Sequence, residues 1–238
     1  MRPELHPDTT LDIIIPMLNE AAGITAFLQH LQPLRRRGAR VTVVDGGSSD
    51  GTPALCAALA DAVLAGPRGR ARQMNCGGQV SHFPHPIPTR QVLLFVHADT
   101  VLPADADHLI QRAISGGAAW GRFDVRISGR SRWLAVVGTL MNLRSRWSGI
   151  ATGDQAMFVR RDAFDAVGGF PDQPLMEDIE LSRRLCRIAR PACLRERVTT
   201  SGRRWDTRGV WPTIWLMWTL RWRYWRGAAP EDLARDYR

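Results

Sequence analysis

Lysine is absent from this 238-residue chain: all 32 basic residues are arginine, and against 23 acids they leave a net charge of +9. The absence itself reflects coding composition, but guanidinium forks suit phosphates better than ammonium groups do. Such a charge fits nucleic acid, an anionic membrane face or a phosphorylated small molecule. The four cysteines, Cys56, Cys76, Cys186 and Cys193, form no CxxC pair and no metal-ligand spacing. That argues against a zinc ribbon or a disulfide framework and for the incidental thiols of a reduced, cytoplasmic protein. Long apolar runs are missing too. The two longest, residues 133–143 and 210–220, have 11 residues each, where a spanning helix needs about 20. The opening MRPELHPDTT has no apolar core of a signal peptide, and no repeat or low-complexity tract follows. A protein not integral to a membrane is expected, cytoplasmic or at the inner face of the plasma membrane.

What is present is the composition of a folded domain, 45% hydrophobic and 23% charged. Residues 11–16 (LDIIIP) read as a buried strand ended by proline. Asn19 and Glu20 then open an amphipathic helix with Ile24, Phe27, Leu28 and Leu31 on one face, closed by Gly38. Residues 41–44 predict a second buried strand, and GGSSDGT a loop. A helix capped by Thr52 is predicted over 53–64, with a short strand at 62–64. Residues 68–78 begin as a basic glycine loop and continue as helix; 81–89 are a breaker-rich surface loop; 92–96 are another buried strand. This alternation predicts an α/β fold with a Rossmann-like, doubly wound, mostly parallel sheet. Further strands are predicted at 120–127, 156–159 and 198–200, and helices at 133–143, 176–188 and 213–225. One continuous domain over 1–205 with a helical appendage over 206–238 is the expected organisation.

Ligands of doubly wound sheets bind beyond the carboxyl ends of the strands. Asn19 and Glu20 follow the first strand, Asp45 the second and Asp99 the strand 92–96. Three such groups at successive strand ends point to a nucleotide and a divalent cation more than to isolated loop carboxylates. GGSSDGT lacks the lysine of a phosphate loop and the GxGxxG spacing. Within it, Asp50 reads as an Asx-turn residue and Thr52 as a cap, while Asp45 is the better candidate to touch a base. Arg70 and Arg72 lie beside that edge and fit either phosphate contact or a solvated loop.

In IIIPMLNE, VVDGGSSDGT and the strand ending in His97-Ala98-Asp99-Thr100, the chain resembles the inverting family 2 glycosyltransferases of GT-A fold. Gly153-Asp154-Gln155, Glu177-Asp178 and Arg203-Arg204-Trp205 follow in the family's order, and GRARQMN, HADT and SGRRW look closest to small, single-domain bacterial members. The resemblance implies that Pro16, Asn19, Glu20 and Asp45 hold the nucleoside. It implies that Asp99 binds a divalent cation, magnesium or manganese, as the last residue of a DxD motif in which His97 replaces the first Asp. It implies Asp178 as general base with Glu177 beside it, Asp154 near the donor sugar, and phosphate and acceptor contacts from Arg203, Arg204 and Trp205, with Ser201 where the family's QxxRW motif has Gln. The donor would be a nucleotide diphosphate sugar, the acceptor unknown and open to being lipid-linked.

On helix 176–188, Glu180 and Arg184 form an i,i+4 surface pair, and Leu181, Leu185 and Ile188 the buried face. Between Ser201 and Arg226 lie six of nine tryptophans and six arginines against one acid, Asp206. Trp215, Trp218, Trp222 and Trp225 share a helix face, flanked by Arg221, Arg223 and Arg226. That face suits packing on the core or peripheral contact with anionic lipid equally. Nucleic acid is not an expected partner, since no recognised binding module is present. Two other functions stay open. A nucleotidyltransferase would want a Gly/Arg/Lys-rich loop after the first strand, where this chain has IPMLNEAAG. A non-catalytic membrane or protein adaptor would not need Asp45, Asp99 and Asp178.

Overall fold

The computed structural model describes residues 9–80 and 90–237. The surface loop expected over 81–89 lies outside them. Chain order is β1 (Thr9–Met17), α1 (Ala21–Arg36), β2 (Arg40–Asp45), α2 (Thr52–Cys56), β3 (Ala62–Ala65), α3 (Arg70–Gln79), β4 (Arg90–Phe95), β5 (Thr100–Val101), α4 (Ala106–Ser115), β6 (Trp120–Ser128) and α5 (Trp133–Ser148). A 3-10 turn (Gly153–Gln155) leads to β7 (Met157–Arg160), α6 (Arg161–Ala166), α7 (Glu177–Leu185), β8 (Ala192–Ser201), α8 (Arg203–Arg208), α9 (Val210–Trp225) and α10 (Pro230–Tyr237).

The strands form one sheet in the order β3-β2-β1-β4-β7-β6-β8-β5. β3, β2, β1 and β4 run parallel, and β7 is antiparallel to both β4 and β6. β6 pairs parallel with β8 across a bulge at Phe123/Asp124. β1 and β4 are buried on both faces because helices cover each side, hence their unbroken apolar runs. One core cluster joins Ile13, Ile15, Val43 and Leu94 to Leu28 and Leu31 of α1. Another joins Ile14, Val44, Leu93 and Phe95 to Met74 of α3 and Phe164 of α6. The doubly wound, mostly parallel α/β sheet is the one the alternation predicted.

Several local expectations change. α2 stops at Cys56 rather than running to 64, because Asp61 pins the chain at the sheet edge: its carboxylate accepts from the Val41 N–H at 2.8 Å and pairs with Arg35 at 2.7 Å. Thr52 does not cap α2. Its N–H donates to Asp50 as in an Asx turn, and its hydroxyl accepts the Glu20 N–H at 3.0 Å. β8 spans ten residues rather than three, since it has all of β6 to pair with. α7 ends at Leu185 and Ile188 is 50% exposed, so the apolar residues that helix buries are Leu181 and Leu185, beside the buried polar Glu177 and Ser182. The expected boundary at 205 falls inside α8. α9 packs an inner face, Leu216, Met217 and Leu220, on Met176 and on Leu233 of α10, and turns its tryptophans outward.

α3 matters most for the site, and a close approach seats it. A Cβ on Gly77 would lie 2.6 Å from Ile14 and 3.0 Å from Val44, so the helix rests directly on β1 and β2. Gly77→Ala tests this, because helix propensity alone predicts a gain of about 1 kcal/mol. The contact should win, with a loss of about 1–3 kcal/mol in denaturant unfolding.

Candidate active site

The loops after β1 and β4, the start of α3, the Gly153–Gln155 turn, the start of α7 and the inner sides of α8 and α9 enclose a cavity of about 780 Å3. Pro16, Glu20, Arg70, His97, Asp99 and Asp154 line it, as do Glu177, Asp178, Arg203, Arg204 and Trp205. Asn19, Asp45 and Arg72 are not among the lining residues. The cavity lies beyond the carboxyl ends of β1 and β4, where the strand-end argument puts Glu20 and Asp99, while Asn19 and Asp45 from the same argument stay outside it.

The three that do not line the cavity have other partners. Asp45 accepts the N–H groups of Gly47 and Ser48 at 3.1 and 3.0 Å, and the Ser48 hydroxyl as well, closing its own loop. Asn19 clamps the loop after β1 to the one after β2: its N–H donates to Ser48 Oγ and its Oδ1 accepts the Ser49 N–H, both at 2.9 Å. Arg72 pairs with Asp172 at 2.6 Å on the surface. A helical start at Arg70 explains its departure from the expectation, because residues two apart point about 200° from each other.

The acidic centre is built on strained backbone. Met176 has φ +66° immediately before α7, and Ala156 has φ +46° just after the 3-10 turn. Non-glycine residues in this region cost energy and gather at functional sites. The strain presents Glu177 and Asp178 to the cavity on the first turn of α7. Asp178 is clamped on both oxygens, Oδ2 accepting the Gly153 N–H at 2.9 Å and Oδ1 its neighbour Ile179's at 2.7 Å. Glu177 is buried, and burial together with the Asp178 charge pushes its carboxyl up to about 7. Burial also raises Asp154, against the opposing pull of Arg70.

His97 stands against Gly153, where a Cβ would come within 2.5 Å of its ring, and its Nδ1 is 3.8 Å from Asp154. Burial and the Arg70 charge push it down to about 4, so the imidazole is neutral at pH 7. Arg70 is opposed by desolvation, but Glu177, Asp154 and Asp178 outweigh it and hold its pKa up. Glu20 is raised by burial and by Asp99, with Arg203 acting the other way. Among the described residues no three His, Cys, Asp or Glu side chains converge closely enough to cage a metal.

Sequence reasoning missed several contributors. Gln73 Nε2 donates to the Met17 and Val44 carbonyls, both at 2.8 Å, and so ties the ends of β1 and β2. No motif marks it. Arg221, read as a flank of the tryptophan face, lines the cavity, where burial lowers its pKa against the charges of Asp178 and Asp154. Arg144 of α5 faces both Arg221 and Asp178, and burial with the Arg221 charge lowers it to about 10. Its Nε and one terminal nitrogen are buried with no hydrogen-bond partner among the described residues. Only the helical period, which puts Arg144 and Arg221 at the borders of their outward faces, carries a signal for the pair.

Comparison with known proteins accords with this geometry. The family model "Glycosyl transferase family 2" matches residues 12–168, more than half the chain. A succinoglycan biosynthesis protein, ExoA of Rhizobium meliloti, is 49% identical over 49 residues, covering 20% of this chain and 15% of that protein. Among solved structures, the mannosyltransferase PcManGT of Pyrobaculum calidifontis, in complex with GDP-Man and Mn2+, superposes with a TM-score of 0.61 at 19% identity, over 95% of this chain and 68% of that one. S. aureus TarS 1–349 with UDP-GlcNAc gives 0.62 at 16%, over 81% and 58%. The glucosyl-3-phosphoglycerate synthase of Mycobacterium tuberculosis with Mn2+, uridine diphosphate and glucosyl-3-phosphoglycerate gives 0.55 at 16%, over 80% and 70%. The chain therefore spans less than two thirds of the TarS fragment and a small part of ExoA. These likenesses establish the GT-A fold, and the family match makes the chain a member of glycosyl transferase family 2.

Proposed function

We propose that this glycosyltransferase moves a sugar from a nucleotide diphosphate sugar to an acceptor hydroxyl with inversion at the anomeric carbon. The observation that carries the reading is Asp178, clamped by two backbone N–H groups at the floor of a cavity that also holds Arg70, Asp99 and Arg203. In-line displacement needs an acceptor oxygen that loses its proton as it attacks. The acceptor oxygen bonds to the anomeric carbon, the bond from that carbon to the diphosphate oxygen breaks, and the proton passes to Asp178. Gly153 and Ile179 hold the carboxylate so that its approach is set before substrate arrives. Arg70, with Arg203 and Arg204, meets the diphosphate. Asp99 and the neutral His97 would hold magnesium or manganese, whose chemistry when bound is to offset charge on the departing diphosphate. The similar structures with Mn2+ and nucleotides support this part of the reading.

On the acceptor side, the charges of Arg144 and Arg221 both couple to Asp178. They favour an anionic acceptor, in line with the phosphoglycerate product bound by the M. tuberculosis relative. The outward tryptophans of α9 support peripheral contact with an anionic membrane and a lipid-linked acceptor. A nucleotidyltransferase is the weaker reading, because no phosphate-cradling loop follows β1.

Calorimetry with uridine and guanosine diphosphates, with and without manganese, followed by turnover of the matching sugar nucleotides, tests the reading. Asp178→Asn should bind nucleotide as the unsubstituted protein does and slow transfer by about 10²–10⁴-fold; equal losses of binding and turnover would remove Asp178 from the base role. Arg70→Ala should weaken diphosphate binding about tenfold or more, while Arg72→Ala leaves it unchanged. A matched loss in both variants would count against the assignment of Arg70.

Glu177 supplies a pH test. Its folded pKa is raised above the ordinary 4.5 to about 7, so the folded state holds a proton that the unfolded chain has given up. Stability from this group is present below pH 4.5 and is lost as pH rises toward 7. Glu177→Gln removes the loss. Its stability relative to the unsubstituted protein should rise between pH 4.5 and 8 by up to about 3 kcal/mol; a constant difference across that range in denaturant titrations would contradict the buried, protonated state.

A further inference from the structure

The largest feature that transfer chemistry does not use is apolar and lies outside the cavity. On α9, Trp211, Trp215, Trp218, Trp222 and Trp225 recur every three or four residues and are 57–81% exposed. On α5, Trp133, Val136, Leu140, Leu143 and Trp147 do the same at 44–85% exposed. The two rows meet where the Trp133 and Trp211 rings lie 5.4 Å apart. Each helix buries its opposite side: Leu134, Gly138 and Asn142 of α5, and Thr213 and Leu220 of α9. The outward rows are therefore surplus to the core. Two exposed apolar rows, ten large side chains in all and joined at Trp133 and Trp211, mark an interaction site.

Charge identifies the occupant. From residue 125 to 153 and from 207 to 230 the chain has no Asp or Glu. Exposed arginines stand at the edges of the rows: Arg132 precedes Trp133, Arg190 donates to the Trp147 carbonyl at 3.4 Å, and Arg226 lies over the Trp222 ring. Tryptophan bodies framed by arginine heads suit the level of lipid headgroups, where anionic lipids attract the cations. A second copy of the chain would bring arginine edges against arginine edges, which costs energy at an interface. Neither helix is long and apolar enough to cross a bilayer, so contact is in the plane of the surface.

We propose that the outward faces of α5 and α9 form one platform that seats the protein on an anionic lipid surface. This rests on the transferase reading only for its purpose, since α9 carries Arg221 into the cavity from its inner side and the seated enzyme would open toward lipid-borne acceptors. The test is sedimentation with vesicles of phosphatidylcholine alone and with one third phosphatidylglycerol, with tryptophan emission recorded in parallel. Binding to the anionic vesicles, a blue-shifted emission and release by salt are expected. Leu143→Ala with Trp147→Ala on α5, and Trp218→Ala with Trp222→Ala on α9, should each lower partitioning about tenfold. None of the four residues lines the cavity, so nucleotide titration should be unchanged in both pairs. No partitioning onto anionic vesicles overturns the proposal, as does an α5 pair that binds like the unsubstituted protein. A dimer in sedimentation equilibrium that the same variants dissolve overturns it in favour of self-association. Vesicle binding without nucleotide binding would defeat the transferase reading and leave the platform standing; the reverse result would defeat the platform alone.

Discussion

Arg70 is the charge around which the cavity balances. Glu177, Asp154 and Asp178 raise its pKa against desolvation, and it in turn opposes the rise of Asp154 and helps to keep His97 neutral. Without a cation at that point, these carboxyl groups would lose a charge they share as a counterion. The position of Arg70 depends on α3 lying close on β1 and β2, which the two hydrogens at the Gly77 α-carbon allow. Gln73, one turn along, binds the carbonyls at the ends of those strands. The electrostatics of the site thus rest on the packing of one short helix.

Around that centre the backbone carries strain at the borders of the cavity. Asn19, Ala156 and Met176, the three non-glycine residues with positive φ among those described, all flank the cavity. Each turns the chain so that the next residues face inward or clamp a neighbouring loop. The GGSSDGT segment is held the same way: Asp45 closes the loop on itself, while Ser48 and Asp50 accept the Asn19 and Ala21 N–H groups and bind it to the loop after β1. The loops after β1 and β2 are thereby joined beside the cavity.

The strands and the order of the site residues were legible because both are local properties. Unbroken apolar runs mark strands covered on both faces, and carboxylates directly after such runs fall at one sheet edge. Reading failed where a helix start decides direction. Arg70 and Arg72 look equivalent in a glycine loop, yet a start at Arg70 sends them to opposite sides. It failed too where a distant partner sets the end of an element, as Asp61 does after α2 and β6 does along β8. For the tryptophans of α9, periodicity identified one face but not whether it turned in or out.

By itself the sequence determined the doubly wound sheet, the carboxyl edge as the place of the site, and the Asp99, Asp154 and Glu177-Asp178 groups gathered there. Only the tertiary structure decided that Glu177 is the buried carboxyl among these, that Arg70 and Arg221 line the same cavity, and that the outward rows of α5 and α9 meet. The physical reason is that burial, charge coupling and surface continuity depend on distances between residues far apart in the chain. Trp133 and Trp211 touch, and the Arg221 charge reaches Arg144, each across more than seventy intervening positions. Composition and period have no access to that distance.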